Sequence, residues 1–175
     1  MKFNLQLHAE TVAGSKLIYL YRLLSKKATE TGVTLAFTTE NDRTTSKDAD
    51  ATATKDGTVR TPGIAEVEIS ATSLLEKGDT MAGVLEQAML DDELIEIWEV
   101  NTAEPAEAAD GTYKSRYFQG YLTEFDKSSN AEDMIEISLT FGVNGTGADG
   151  YATVTDAQLE IASYVFADTT VTVSV

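Results

Sequence analysis

Three groups of residues in this chain have types and spacing that could do chemistry. The first is "GTGADG", where Gly145, Gly147 and Gly150 match G-x-G-x-x-G, the turn that cradles a dinucleotide pyrophosphate. That chemistry needs the turn to open a helix inside a parallel βαβ unit, so that the phosphate meets a helix N-terminus. Here the preceding strand pattern is two-sided, "YATVT" follows, and 25 residues remain, so the reading is a glycine-rich turn or hinge for the segment 151–175. The second is "DADATATKDG", in which Asp48, Asp50, Thr52, Thr54 and Asp56 alternate like the ligands of a calcium loop. Counting from Asp48, the sixth and twelfth positions, where an EF-hand needs Gly and Glu, are Ala53 and Val59, and a solvated polar segment fits better. The third is carboxylates: Glu66 and Glu68 share one face of a strand pattern, but an acidic strand face is ordinarily the wet one, which weakens a glycosidase-like pair. His8 is the sole histidine and there is no cysteine, which removes thiolate and Cys-zinc chemistry and leaves a Ser-His-Asp triad without an obvious base. The residues point to no catalytic, cofactor or metal site.

The elements around these residues are mostly strands. In "IAEVEISAT", Val67 and Ile69 alternate with Glu66, Glu68 and Ser70. In "EDMIEISLTFGV", Ile135, Ile137, Leu139, Phe141 and Val143 form one face, with Met134, Glu136, Ser138 and Thr140 on the other. Period two with one apolar side predicts half-buried strands. "TYKSRYFQGYLTEFD" reads as a strand with Tyr113, Tyr117, Tyr121 and Phe125 on one face, and "GVTLAFTTE" and "LIEIWEV" complete a largely antiparallel set, hence a sandwich or barrel. One segment has helical period: Met81, Val84, Leu85, Ala88 and Met89 predict a flanking helix over about 79–92 with Asp79 as its cap. Asp91 and Asp92 sit at its C-terminal end, where the helix dipole favours cations instead. "KLIYLYRLL" and "DAQLEIASYVF" fit either a strand or a helix.

Between two strand patterns lies "TTENDRTTSKDADATATKDGTVRTPG", a polar arm of 26 residues, 38–63, where about two to six would normally join strands. It is a functional element, a disordered stretch or a misread strand. At 175 residues the chain makes one domain, 1–175, able to bury a core without staples. Its charge is −16, from 29 acidic and 13 basic residues, and residues 128–175 contain no Lys or Arg. Such a chain lacks the cation cluster that tight nucleic-acid binding requires. No apolar run reaches membrane-spanning length and the N-terminus lacks a signal-peptide core, so the expectation is a soluble protein made in a cytoplasm.

Read in order, "LIYLYRLL", the arm with its flanks from "LAFTTE" to "ISATSLLEKGD", "LIEIWEVN", "RYFQGYLTEFDKSSNAEDMIEISLTFGVNGTGADGYATVT" and "IASYVFADT" resemble the major tail proteins, the tail tube proteins of long-tailed, non-contractile bacteriophages of Gram-positive bacteria. The resemblance runs over nearly the whole chain. It implies a mainly β fold, an antiparallel sandwich or barrel of the tail tube type with one flanking helix, and it tips "LIYLYRLL" towards a strand. It also implies no enzyme activity and no cofactor. The implied partners are the chain itself, in six-membered rings stacked into a tube, the tape measure protein inside the tube, and tail-tip or initiator and terminator proteins. DNA would pass through without specific binding, in a virion assembled in the host cytoplasm. On that reading the arm reaches a neighbouring subunit through Arg43, Lys47, Asp48, Asp50, Lys55, Asp56 and Arg60, with acids among residues 91–99 of the neighbour as partners. Residues 1–15 and 151–175 are the other candidates for ring-to-ring contact. Glu66, Glu68, Glu96 and Glu136 would face the lumen, where negative walls let a polyanion slide. The alternatives are a secretion-apparatus tube protein and a monomeric all-β binding or carbohydrate-active protein.

Overall fold

A computed structural model describes residues 11–107 and 111–162 of the chain. Seven strands and two helices follow one another as β1 (Leu17–Leu23), β2 (Thr38–Thr54), β3 (Gly57–Leu74), α1 (Met81–Leu90), β4 (Ile95–Pro105), β5 (Thr112–Ser128), β6 (Glu136–Val143), β7 (Ala148–Thr153) and α2 (Asp156–Ala162). They form one antiparallel sheet ordered β1-β4-β5-β6-β3-β2, with β7 on β5. The one-sided alternation read from the sequence explains why. Ile69, Ile97, Leu139 and Phe141 stand on one face and are at most 1 % exposed, and α1 covers that face with Ala82, Leu85 and Ala88. A smaller cluster of Ile18, Leu20, Val100 and Val154 lies on the other face of β1 and β4, packed against Trp98, Tyr113 and Leu159.

The sheet curls so that its two edge strands approach each other, the Tyr21 hydroxyl of β1 donating to the Asn41 side chain of β2 at 3.4 Å. Tyr21 of β1 stacks on Phe141 of β6 with ring centroids 5.2 Å apart, and Tyr21 also forms an isolated bridge with Val33. Two glycines permit close approaches at β5. Gly120 pairs with Ile95 of β4 on one side and Val143 of β6 on the other, and a Cβ there would lie 2.5 Å from the Gly142 carbonyl oxygen. Gly147 has φ +79°, and a Cβ on it would meet the Phe118 ring at 2.5 Å. Residues 144–147 thus bulge out opposite Phe118 and Gln119, and β6 and β7 run along the same edge of β5.

"LIYLYRLL" is a strand over Leu17–Leu23, and "DAQLEIASYVF" begins as a helix at Asp156. Other expectations are corrected. "GVTLAFTTE" is not a strand throughout: Phe37 turns the chain with φ +48°, and β2 starts only at Thr38. In β5 the buried side chains are Ser115, Phe118 and Leu122 rather than a tyrosine face. A bulge between Leu122 and Glu124 reverses the alternation, so Phe125 joins the core side while Tyr121 remains 43 % exposed. Helix α1 keeps most of the predicted stripe, burying Leu85 and Ala88 and packing Met81 and Met89 on the core, but Ala82 is buried in place of Val84, which is 40 % exposed. Asp79 still serves the helix start, accepting the Met81 N–H at 2.8 Å, and Thr80 is the cap residue by position. The two acids at the far end are explained too. Asp92, at φ +54°, takes the left-handed position that ends a helix, and Asp91 accepts a hydrogen bond from the Gln87 amide.

Candidate functional site: projecting hairpin and acidic sheet face

The polar arm is a β-hairpin. β2 and β3 pair continuously from Thr38 opposite Ser73 to Thr54 opposite Gly57, and Lys55 and Asp56 form the turn. Polar residues alternate with polar residues here, so hydrophobic period carried no strand signal; β-branched threonines and backbone pairing carry the strand instead. β6 supports β3 only between Val67 and Leu74. Beyond Val67 the hairpin is a two-stranded ribbon of about 33 Å, taking about 3.3 Å per residue. Residues 44–64 are all exposed. A ribbon of that kind is marginal by itself in water. A register shift between Lys47 and Ala49 sets Asp48 at an irregularity, and Pro62, which has no N–H to give, pairs there with Ala49.

The residues assigned to the arm divide into two sets. Lys47, Asp48, Asp50, Lys55, Asp56 and Arg60 lie on the exposed ribbon and make no ion pair among the described residues. Arg43 is different, because it points to the core side at the hairpin's base. Its guanidinium donates to Glu99 of β4 at 2.7 Å, and the Tyr19 hydroxyl of β1 donates to the same carboxylate at 2.6 Å. An Arg expected to pair with a neighbour's acids therefore pairs with an acid of its own subunit. The Glu99 hydrogen bond raises the Arg43 pKa, while burial first, and then the Glu99 hydrogen bond, push the Tyr19 phenol far above its ordinary value.

Strand register places an acidic surface on the side of the sheet away from α1. Ser46 and Thr44 of β2 stand opposite Glu66 and Glu68, and Leu74 opposite Glu136, so these three glutamates share one face, as the alternation predicted. Glu40 and Asp42 of β2 belong to it through Thr72 and Ser70, and Glu124 and Asp126 of β5 through Thr140 and Ser138. All seven carboxylates are exposed, and the paired positions of this face hold hydroxyls, Gly142, Tyr121 and Leu74 but no Lys or Arg. Glu124 and Asp126 are hidden in the sequence because the bulge at Thr123 shifts their parity; Glu40 ends the pattern "GVTLAFTTE", which the Phe37 turn interrupts, and Asp42 lies in the polar arm, where no apolar face marks a side.

Glu96 is corrected. It stands on the same side of the sheet but is only 5 % exposed. Arg22 holds one of its oxygens at 2.7 Å, the Tyr117 hydroxyl donates to the other at 2.7 Å, and the Arg22 guanidinium lies 4.9 Å from the Trp98 ring. Alternation fixes a side, whereas cover depends on which strands lie alongside. The glycine motif is also resolved: Gly145 and Gly147 shape the bulge, Gly150 pairs with Ser115, and the turn opens β7 rather than a helix. These glycines seat β7 on β5, which replaces the expected hinge. His8 lies outside the described residues, as do residues 163–175 of the C-terminal segment. Among the described residues no three acids or histidines gather to hold a metal, and no helix is long and apolar enough to cross a membrane.

A curled antiparallel sheet, a ribbon with nothing of its own to pack on and a face of spread carboxylates define a structural, assembling class of protein. The chain belongs to the phage tail tube protein family, whose profile matches residues 11–149. It is a structural protein of the virion tail tube and not an enzyme. A protein of Staphylococcus phage phiMR25 described as a tail protein is 34 % identical over 157 residues, covering 87 % of this chain and 80 % of the relative. The SPP1 tail tube protein shares the fold with a TM-score of 0.69 at 20 % identity, over 87 % of this chain and 86 % of that one. A tail protein of the empty gene transfer agent particle, solved with C6 symmetry, gives 0.55 at 15 % identity, over 78 % and 96 %. The expected fold class and the structural role are thereby borne out.

Proposed function

We propose that the chain assembles with itself into six-membered rings that stack into the tail tube, with the acidic face of β2, β3, β5 and β6 lining the lumen. The observation that carries this reading is the cation-free face of Glu40, Asp42, Glu66, Glu68, Glu124, Asp126 and Glu136. A wall of carboxylates offers DNA no counterion-releasing contact, so the polyanion passes without adsorbing. The tube houses the tape measure protein before ejection, grows from a tail-tip initiator and is closed by a terminator, all in the host cytoplasm. The sixfold symmetry of the gene transfer agent tail supports the ring.

The ribbon beyond Val67 supplies the contact between subunits. Its free cations Lys47, Lys55 and Arg60 alternate with Asp48, Asp50 and Asp56, and self-complementary charge of that kind sets register in a repeating interface. Excising residues 48–64 and joining Lys47 to Ala65, which face each other in register, through an Asn-Gly turn tests this. The expected product is a folded monomer by circular dichroism that forms no tubes by negative-stain microscopy; tubes of normal length would overturn the hairpin's role.

A further inference from the structure

Asn144 is the only one of the chain's five asparagines that precedes a glycine, and the fold leaves that pair open. Asn144 and Gly145 lie in the bulge between β6 and β7, both exposed. Gly145 has φ +70°, and no atom lies within 4 Å of where a Cβ would stand. The Asn144 N–H is tied to the Gln119 carbonyl at 2.7 Å, yet neither its side-chain amide nor the Gly145 N–H makes a hydrogen bond among the described residues. The other described asparagines differ. Asn41 is within β2, opposite Ala71. The Asn101 side chain donates to Glu104 and accepts from the Ala103 N–H, and Asn130 accepts from two backbone N–H groups while donating to Asp133.

We propose that Asn144–Gly145 is a site of spontaneous deamidation through a succinimide. The Gly145 backbone nitrogen attacks the Asn144 side-chain carbonyl carbon. The carbon–nitrogen bond to Nδ2 breaks, and that nitrogen leaves as ammonia with the proton Gly145 gives up. Water then opens the ring at either carbonyl, giving aspartate or isoaspartate. Glycine permits the attack because it puts no side chain in the way and adopts the turn freely. The product places an additional carboxylate on the groove that Asn144 lines with Ile64, Glu66 and Glu68. In the isoaspartate form the backbone also gains a methylene between the Gln119 tie and the tight seat of Gly147 on Phe118. Aged subunits thus carry more negative charge at the root of the hairpin than fresh ones.

The test is to incubate the purified full-length chain at mildly alkaline pH, folded and in denaturant, and to follow each asparagine by peptide mapping and isoaspartate labelling. The expected result is acid accumulating at 144 ahead of 41, 101 and 130, at a folded-state rate within a few-fold of the unfolded one. Protection of Asn144 in the folded chain as strong as that of Asn130 would overturn the proposal. In the Asn144→Gln variant, where the corresponding ring closes far more slowly, isoelectric focusing should show the acidic band growing several-fold more slowly with age, with circular dichroism unchanged. An acidic band growing as in the native chain would likewise overturn it.

Discussion

Glu99 accepts hydrogen bonds from two elements that share no backbone pairing with each other, Tyr19 on β1 and Arg43 on β2, and so closes the curled sheet with side chains where no ladder does. The Arg43 and Glu99 side chains are 31 % and 13 % exposed, so the pair is partly desolvated. Removing one partner leaves the other unsatisfied, and Glu99→Ala should cost about 1–3 kcal/mol in urea unfolding. Arg43→Met on that background should recover part of the loss, because an apolar replacement of both charges is close to neutral. The tyrosines give a pH signature. Burial raises the pKa of Tyr19 and of Tyr21, with the Glu99 hydrogen bond adding to the first. Both remain neutral in the fold while the unfolded chain ionises near pH 10. Their contribution is therefore full below about pH 10 and is lost as pH rises from there towards the raised values. Tyr19→Phe should flatten the alkaline fall of the urea midpoint relative to the native chain; an unchanged slope would contradict the assignment. None of this was legible in the sequence, because Tyr19, Arg43 and Glu99 meet only through the curl.

At the scale of elements, what could be read depended on whether one face was buried. β3 and β6 were legible because Val67, Ile69, Leu139 and Phe141 alternate with polar residues over a real core. The outer hairpin was not, because neither of its faces is buried and alternation there has nothing to report. β5 was legible as a strand but not in its faces, since the core side is held by Phe118 and Leu122 rather than the tyrosines, and a bulge after Leu122 then flips the parity that brings in Phe125. Helix α1 was legible in period and in most of its buried stripe, with only Val84 turned outward and the small Ala82 meeting the core instead. Leu85, with no exposed surface, is its anchor. Leu85→Ala should cost about 2–5 kcal/mol through lost burial and the cavity left behind. Thermal unfolding followed by circular dichroism checks this, and a cost comparable to that of a surface substitution would mean that α1 does not pack as described.

Over the whole molecule, the net charge of −16 is distributed unevenly, with seven exposed carboxylates on one cation-free sheet face. The sequence reading had three of these, and it included Glu96, which Arg22 and Tyr117 instead cover. Exposed charges act over about 8 Å at physiological ionic strength, so a wall of them matters only to something passing close by. Replacing Glu66 and Glu136 by Lys should slow DNA release from otherwise normal virions, more so at low salt, as measured by dye entry after receptor triggering; unaltered release kinetics at all salt concentrations would count against a lumenal face. Helical cryo-electron microscopy of tubes formed by the native chain shows directly which face lines the channel. The expected tube has stacked six-membered rings in which the four-stranded face bearing Glu66, Glu68 and Glu136 lines the channel and the hairpin crosses to a neighbouring subunit. A tube with α1 towards the channel and those glutamates on its outer surface would contradict it.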